Sequence, residues 1–249
     1  MPYRAQTASP DNKHAVRCQQ CAIRKLCLPV MLAESEIDHL ETIIERGATI
    51  KKGQPLFHAG EPFEAIYAVR SGSFVSSAVN AEGQEMVTGF YLPGEIIGLD
   101  GIHSKKHPTT AKALETSSVC VLPFERLQEI AAVIPSLQRQ LFNVMSSEIQ
   151  SEHELMMLLG RKSADERLAA FFINLSQRFK RRGLSAERFR LSMTRGQIGR
   201  YLGLAVETVS RLLTKFSEDG LIHVQDREIE ILDMPRLSQL AGTNCHHPD

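Results

Sequence analysis

Near Pro123 the apolar pattern of this chain changes period, and that change constrains the fold more than any other feature. Between Gly47 and about Leu122, short apolar runs (Ala65–Val69, Phe74–Val79, Met86–Tyr91, Val119–Leu122) alternate with turn signals such as Lys52-Gly53, Ser71-Gly72, Glu82-Gly83 and Pro93-Gly94. Many short strands at this spacing predict an all-β barrel or sandwich. Upstream, Ile37, Leu40, Ile43 and Ile44 give Glu34–Glu45 helical spacing. Downstream, Phe124–Ile134 reads as a short helix, and Pro135 opens a long one running from Ser136 to about Gly160.

Along that long helix, Phe142, Met145, Ile149, Glu152, Met156 and Leu159 recur at alternating steps of three and four. This is the seam of a coiled coil, and it predicts a dimerisation helix; a helix packed on its own domain would carry the same period. Glu152 interrupts the seam. A carboxylate there would either repel its twin across a two-fold axis and hold a dimer near its dissociation threshold, or point to solvent.

The formal net charge of zero conceals an asymmetry: residues 161–216 carry 13 Lys and Arg against 4 Asp and Glu. A compact basic segment of this kind is the footprint of polyanion binding, or else a solvated charged face. Its core is MTRGQIGRYLGLAVETVSRLLTKF, Met193–Phe216. Thr194 and Gln197 form a capping box for a first helix, Gly203 permits a tight turn, and a second helix begins near Val206. Val209, Leu212, Leu213 and Phe216 fall on its inner face. Glu207, Ser210 and Arg211 project together from the outer face, where a recognition helix meets base edges. Arg forks onto guanine, Glu accepts from cytosine and Ser bonds several edges. Arg195, Arg200 and Lys215 are candidate phosphate contacts. Leu221–Val224 and Glu228–Leu232 predict a hairpin wing. Double-stranded DNA is therefore the expected partner.

Four of the five cysteines form a second constellation. Cys18, Cys21 and Cys27 read C-x2-C-x5-C, and Cys120 lies far downstream. No apolar leader segment and no membrane-length apolar run is present, which places the expectation in the cytoplasm with reduced thiols. A 3+1 thiol layout fits a [4Fe–4S] cluster better than zinc, whose structural sites commonly pair two C-x2-C knuckles. Thiols without metal remain the third reading. Leu26 and Leu28 either restrict access to such a site or pack in the core. His103 and His107, in a Lys-rich loop, read as surface residues, and Cys245 with His246 and His247 as a solvated tail. No Ser/His/Asp set, phosphate-binding loop or second cofactor motif appears, so no catalytic residue and no enzymatic activity is expected.

With these residues in view, the chain resembles the FNR-type (fumarate and nitrate reductase) regulators within the cyclic-AMP receptor protein superfamily. The resemblance runs from about Cys18 to Gly242. It is carried by C-x2-C-x5-C with Cys120 and by GFYLPGEIIGLDGI, ERLAAFFINLS and MTRGQIGRYLGLAVETVSRLL. It implies an α+β protein with a cyclic-nucleotide-binding-like β-roll, a long dimerisation helix and a C-terminal winged helix-turn-helix. The expected division is a cluster-ligand segment over 1–33, a sensor domain over 34–135, the dimer helix over 136–160 and the DNA-binding domain over 161–249.

The resemblance further implies that Cys18, Cys21, Cys27 and Cys120 hold a [4Fe–4S] cluster that oxygen converts to [2Fe–2S] and beyond. The homodimer then separates and DNA binding is lost. Glu207, Ser210 and Arg211 match the residues that read TTGAT-type half-sites, and the regulated genes serve anaerobic respiration. Surface loops of the β domain and the C-terminal domain would contact RNA polymerase. The family commonly has Asp at the repulsive seam position, where this chain has Glu152. The cyclic-nucleotide branch uses an Arg-Ser pair after its Gly-Glu segment. Here Gly94-Glu95 remain, but the matching region reads His107-Pro108, so cyclic AMP binding is not expected. The alternative on the same fold is a small-ligand-responsive regulator with zinc or free thiols at the cysteine site.

Overall fold

A computed structural model describes residues 17–242; Cys245, His246 and His247 lie outside the described residues. The chain divides into two compact units, residues 1–150 and 151–249.

In the first unit, tight turns over Cys18–Gln20, Arg24–Leu26 and Leu28–Met31 lead into α1 (Glu34–Glu41). Eight strands follow: β1 (Glu45–Arg46), β2 (Pro55–Phe57), β3 (Ala65–Ser71), β4 (Phe74–Val79), β5 (Glu85–Tyr91), β6 (Ile96–Ile97), β7 (Thr110–Ala113) and β8 (Ser118–Pro123). They form two four-stranded sheets, ordered β1-β8-β3-β6 and β2-β7-β4-β5. Helix α2 (Phe124–Val133) comes next, followed by the long α3 (Pro135–Arg161), within which the division between the two units falls.

Strand alternation sorts the core into two. In β3, Ala65, Tyr67 and Val69 face a core shared with Phe57, Phe74 and Ala111, whereas Ile66 and Ala68 face a second core built with the helices. In β8, Val119 and Val121 join the first core, and Cys120 and Leu122 the second. The two-residue period of a strand thus turns Cys120 toward the N-terminal turns. The second core gathers Leu28, Leu32, Ile37 and Leu40 with Leu127, Ala131, Ile134 and Leu137.

The structure corrects two expectations. The first helix stops at Glu41 and does not run to Glu45. The Thr42 hydroxyl donates to the His39 carbonyl at 2.7 Å, Ile43 tucks into the core, and Glu45–Arg46 becomes a strand paired with Val121 and Cys120. His107 is not a surface residue. It is 2% exposed and stacks on Phe57 with ring centroids 3.7 Å apart, because main-chain bonds to Gly60 and Glu61 draw its loop over the barrel. His103 is exposed as expected.

The second unit contains α4 (Ala164–Arg181), β9 (Arg188–Arg190), α5 (Arg195–Leu202), α6 (Val206–Glu218), the hairpin β10 (Ile222–Gln225) and β11 (Glu228–Ile231), and α7 (Met234–Leu240). The wing is a three-stranded sheet ordered β10-β11-β9, one strand more than the sequence announced. Glu166 reaches back to the Ser163 amide at 2.7 Å at the start of α4, and Leu168, Phe172, Ile198, Val209 and Phe216 are fully buried in this unit. Among the described residues no helix is long and apolar enough to cross a membrane.

Candidate thiol site and nucleic-acid interface

Cys18, Cys21, Cys27 and Cys120 are free thiols that line one cavity. The trio sits on successive tight turns: the Cys21 amide donates to the Cys18 carbonyl at 3.2 Å, Arg24 to Cys21 at 3.0 Å, and Val30 to Cys27 at 3.0 Å. Two side chains of α1 hold the first turn. Glu41 accepts from the Cys18 amide, and Asp38 accepts from the Gln19 side chain at 2.9 Å. Glu41 also stands 3.9 Å from Arg46, whose Cα partner across the sheet is Cys120. The Pro93-Gly94 turn closes on the same loop, and a Cβ added at Gly94 would lie 2.7 Å from Leu26 Cβ.

Apart from Arg24, the remaining lining is apolar: Ile23, Leu28, Pro29, Leu40, Ile44, Ala68 and Leu122. Burial pushes the Cys18 and Cys27 thiols up to about 12, and burial also raises Cys120. Near neutral pH these three are protonated, and each must release a proton to become a thiolate ligand. Among the described residues no three His, Cys, Asp or Glu side chains converge on single-ion spacing. Leu28 is buried in the core beside Cys27, while Leu26 is half-buried against the Gly94 turn.

On α3, Phe142 (62% exposed), Met145, Ile149 (57%) and Met156 (60%) form an exposed apolar series, with Glu152 exposed among them and Leu159 half-buried. Apolar side chains this exposed on one helix face mark an interaction surface.

In the second unit, Thr194 caps α5 in a closed box: the Gln197 amide donates to its hydroxyl at 3.2 Å and Gln197 Oε1 accepts from its amide at 2.8 Å. Leu204 donates to the Gly199 carbonyl at 2.8 Å and closes the turn into α6. Glu207 and Arg211 are exposed and Ser210 half-exposed on the first turns of α6. Arg195 reaches Ser210 Oγ at 3.4 Å, and Arg195, Ser210, Arg211, Thr214, Lys215 and Glu218 line one open cleft. Lys215 stands 3.7 Å from Asp165, whose carboxyl is held below its usual range first by the Ser163 hydroxyl and in part by Lys215. Arg200 is exposed on α5.

Known families match both units. The Crp-like helix-turn-helix domain covers residues 166–240 and the cyclic nucleotide-binding domain residues 48–133. The transcriptional activator protein Anr of Pseudomonas protegens is 50% identical over 225 residues, spanning 90% of this chain and 92% of that protein. The chain belongs to the FNR-type regulators of the cyclic-AMP receptor protein superfamily. Among its FNR-type relatives, the fumarate and nitrate reduction regulatory protein of Escherichia coli K12 is 49% identical over 228 residues, covering 92% of this chain and 91% of that one. The solved structure of FixK2 from Bradyrhizobium japonicum aligns with a TM-score of 0.73 at 30% identity, over 80% of this chain and 97% of that chain. An FNR-type chain is a transcription regulator that binds DNA through its helix-turn-helix.

Sequence reading missed several residues that shape the FNR-type site. Glu41 and Asp38 carry no motif, since their role depends on α1 lying against the cysteine turns. Thr208 lies between Glu207 and Ser210, and Thr214 one turn beyond; Thr208 Oγ1 lies 3.4 Å from Arg211 Nη2, a pairing that the helical step of three makes legible afterwards.

Proposed function

We propose that this regulator is a homodimeric, oxygen-responsive transcription activator whose four thiolates hold a [4Fe–4S] cluster. The observation that carries the reading is the placement of Cys120: strand alternation turns it to the cavity lined by Cys18, Cys21 and Cys27, within the core that also buries Leu137 of α3. The donor set fits the group, being four sulfurs in a wall that is apolar apart from Arg24, a cation suited to a negatively charged cluster. The 3+1 layout of the sulfurs also favours a cluster over zinc, whose structural sites commonly pair two C-x2-C knuckles. When bound, the cluster supplies an inorganic core that oxygen dismantles.

The chain's own residues couple that site to α3. Ligation by Cys18 and Cys27 would hold the N-terminal turns against Cys120, and Leu28, Leu40 and Leu137 would carry the position of those turns to the start of α3. Phe142, Met145, Ile149, Met156 and Leu159 then pair with a second copy, against the repulsion of Glu152. Dimerisation sets two recognition helices one DNA turn apart, with Glu207, Ser210 and Arg211 on base edges of a TTGAT-type palindrome and Arg195, Arg200 and Lys215 on phosphates. Genes of anaerobic metabolism and contact with RNA polymerase complete this reading. In this reading cyclic nucleotide is not the signal: the region matching that branch's Arg-Ser pair reads His107-Pro108, and the His107 ring packs on Phe57.

The test is affinity for a palindromic operator measured at fixed salt, before and after air, on protein purified without oxygen. About four irons per chain and a large loss of affinity in air support the reading. An iron-free protein, or one that binds equally well after air, refutes it.

A further inference from the structure

Arg167, on the first turns of α4, gathers three main-chain carbonyls: one from the last turn of α3, one from the residue that follows that helix, and one from the end of α5. Its Nη2 donates to the Leu159 carbonyl at 2.7 Å and its Nε to the Lys162 carbonyl at 2.9 Å, at the C-terminal end of α3. Its Nη1 donates to the Leu202 carbonyl at 3.1 Å, at the end of α5. The last carbonyls of a helix have no partner inside it and carry the negative end of its dipole, so a cation there is favourable. A guanidinium adds something a point charge does not: its N–H groups leave in fixed directions within one plane. Three carbonyls bonded to it are therefore held in one relative orientation.

The turn after α5 is built around the same group. Gly203 has φ +64°, and a Cβ there would lie 3.4 Å from Arg167 Nη1 and 3.8 Å from Leu159 Cδ2. The turn is in turn fixed to α6. Leu204 is bonded to Gly199, and a Cβ on Gly199 would stand 2.5 Å from the Leu204 carbonyl oxygen, so α5 and α6 move as one piece. Orientation set at Leu202 thus passes directly to Glu207, Ser210 and Arg211.

We propose that Arg167 is a positioning residue that fixes the angle of the helix-turn-helix against the end of the dimer helix, and through it the half-site spacing the dimer accepts. The inference rests on the dimeric, palindrome-binding reading above. Each added base pair moves a half-site about 3.4 Å along the duplex and about 35° around it, so a loosened angle widens the range of spacings tolerated.

The experiment compares full-length wild type, Arg167→Met and Arg167→Lys, all purified without oxygen. The DNA probes are palindromes with TTGAT half-sites at the natural spacing and at one and two base pairs more or fewer, plus a duplex with a single half-site. Wild type is expected to prefer one spacing by about tenfold or more. Both variants are expected to flatten that preference to about threefold or less and to keep the single half-site affinity, because the base-reading residues are untouched. Arg167→Lys keeps the charge without the fork and decides the matter if Arg167→Met does not fold. An unchanged spacing preference in the lysine variant overturns the proposal. So does an equal loss on every probe, single half-site included, which would make Arg167 merely structural. A wild-type protein that binds the palindrome no better than one half-site would instead sink the dimeric reading, and the proposal with it.

Discussion

Replacing Gly199 with alanine measures how tightly the two helices of the DNA reader are locked, with Gly196→Ala on the same helix as its opposite. At Gly199 the new Cβ would stand 2.5 Å from the Leu204 carbonyl oxygen, 0.9 Å inside the 3.4 Å at which ordinary contact begins. The oxygen is not free to retreat, because the amide of the same residue is bonded to the Gly199 carbonyl at 2.8 Å. Overpacking of this kind costs about 1–3 kcal/mol, and the weakened hydrogen bond adds about 1 kcal/mol. Better helix propensity returns about 1 kcal/mol. The net expectation is a loss of about 1–3 kcal/mol. At Gly196 the nearest atom to the new Cβ is Thr194 Oγ1 at 3.9 Å, so alanine gains about 0.5–1 kcal/mol from propensity alone. Urea unfolding of the full-length variants followed by far-ultraviolet circular dichroism reads both shifts. Operator binding in parallel should weaken for Gly199→Ala alone. If the two variants shift in the same direction, the close approach at Gly199 does not lock the helices.

Three further outcomes follow from the site. Arg211→Ala should lose about 1–3 kcal/mol at one base pair and relax discrimination there, read by competition with singly substituted operators; a uniform loss over all sequences makes Arg211 a phosphate contact. Glu152→Ala should shift the metal-free protein toward dimer in sedimentation equilibrium, and an unchanged equilibrium removes Glu152 from the switch. Burial depresses the His107 imidazole below its usual 6.5, against smaller opposing pulls from Asp100 and Glu61. The folded form therefore binds fewer protons than the unfolded one, and this contribution is present above pH 6.5 and lost as pH falls through the lowered value. His107→Phe should flatten the acid limb of thermal stability below pH 6.5; a limb as steep as wild type's would place the sensitivity elsewhere.

Local sequence carried much of this protein because several of its signals are short-range. The Thr194–Gln197 box appears in the structure as two hydrogen bonds, since both partners lie within one helical turn. Phe74–Val79 is a strand over the residues its apolar run between turn signals announced, and Glu207, Ser210 and Arg211 share a face because a helix places i, i+3 and i+4 together. Strands β1, β2, β6 and β7 were not legible. They run two to four residues, too short for a period to show, and exist because longer neighbours offer them partners. His107 misled for a related reason: its loop composition is that of a surface, but distant main-chain groups at Gly60 and Glu61 pull it inward.

The sequence by itself determined the helices, the longer strands and the shared face of Glu207, Ser210 and Arg211 on α6, all consequences of spacing within one helix, strand or turn. Only the tertiary structure decided that Cys120 and the trio face one cavity, that Glu41 and Asp38 hold the first cysteine turn, and that Arg167 joins the end of α3 to the turn after α5. Those contacts link residues as far apart in the chain as Cys18 and Cys120. They arise from the pairing of strands and the burial of apolar faces, which no local pattern encodes.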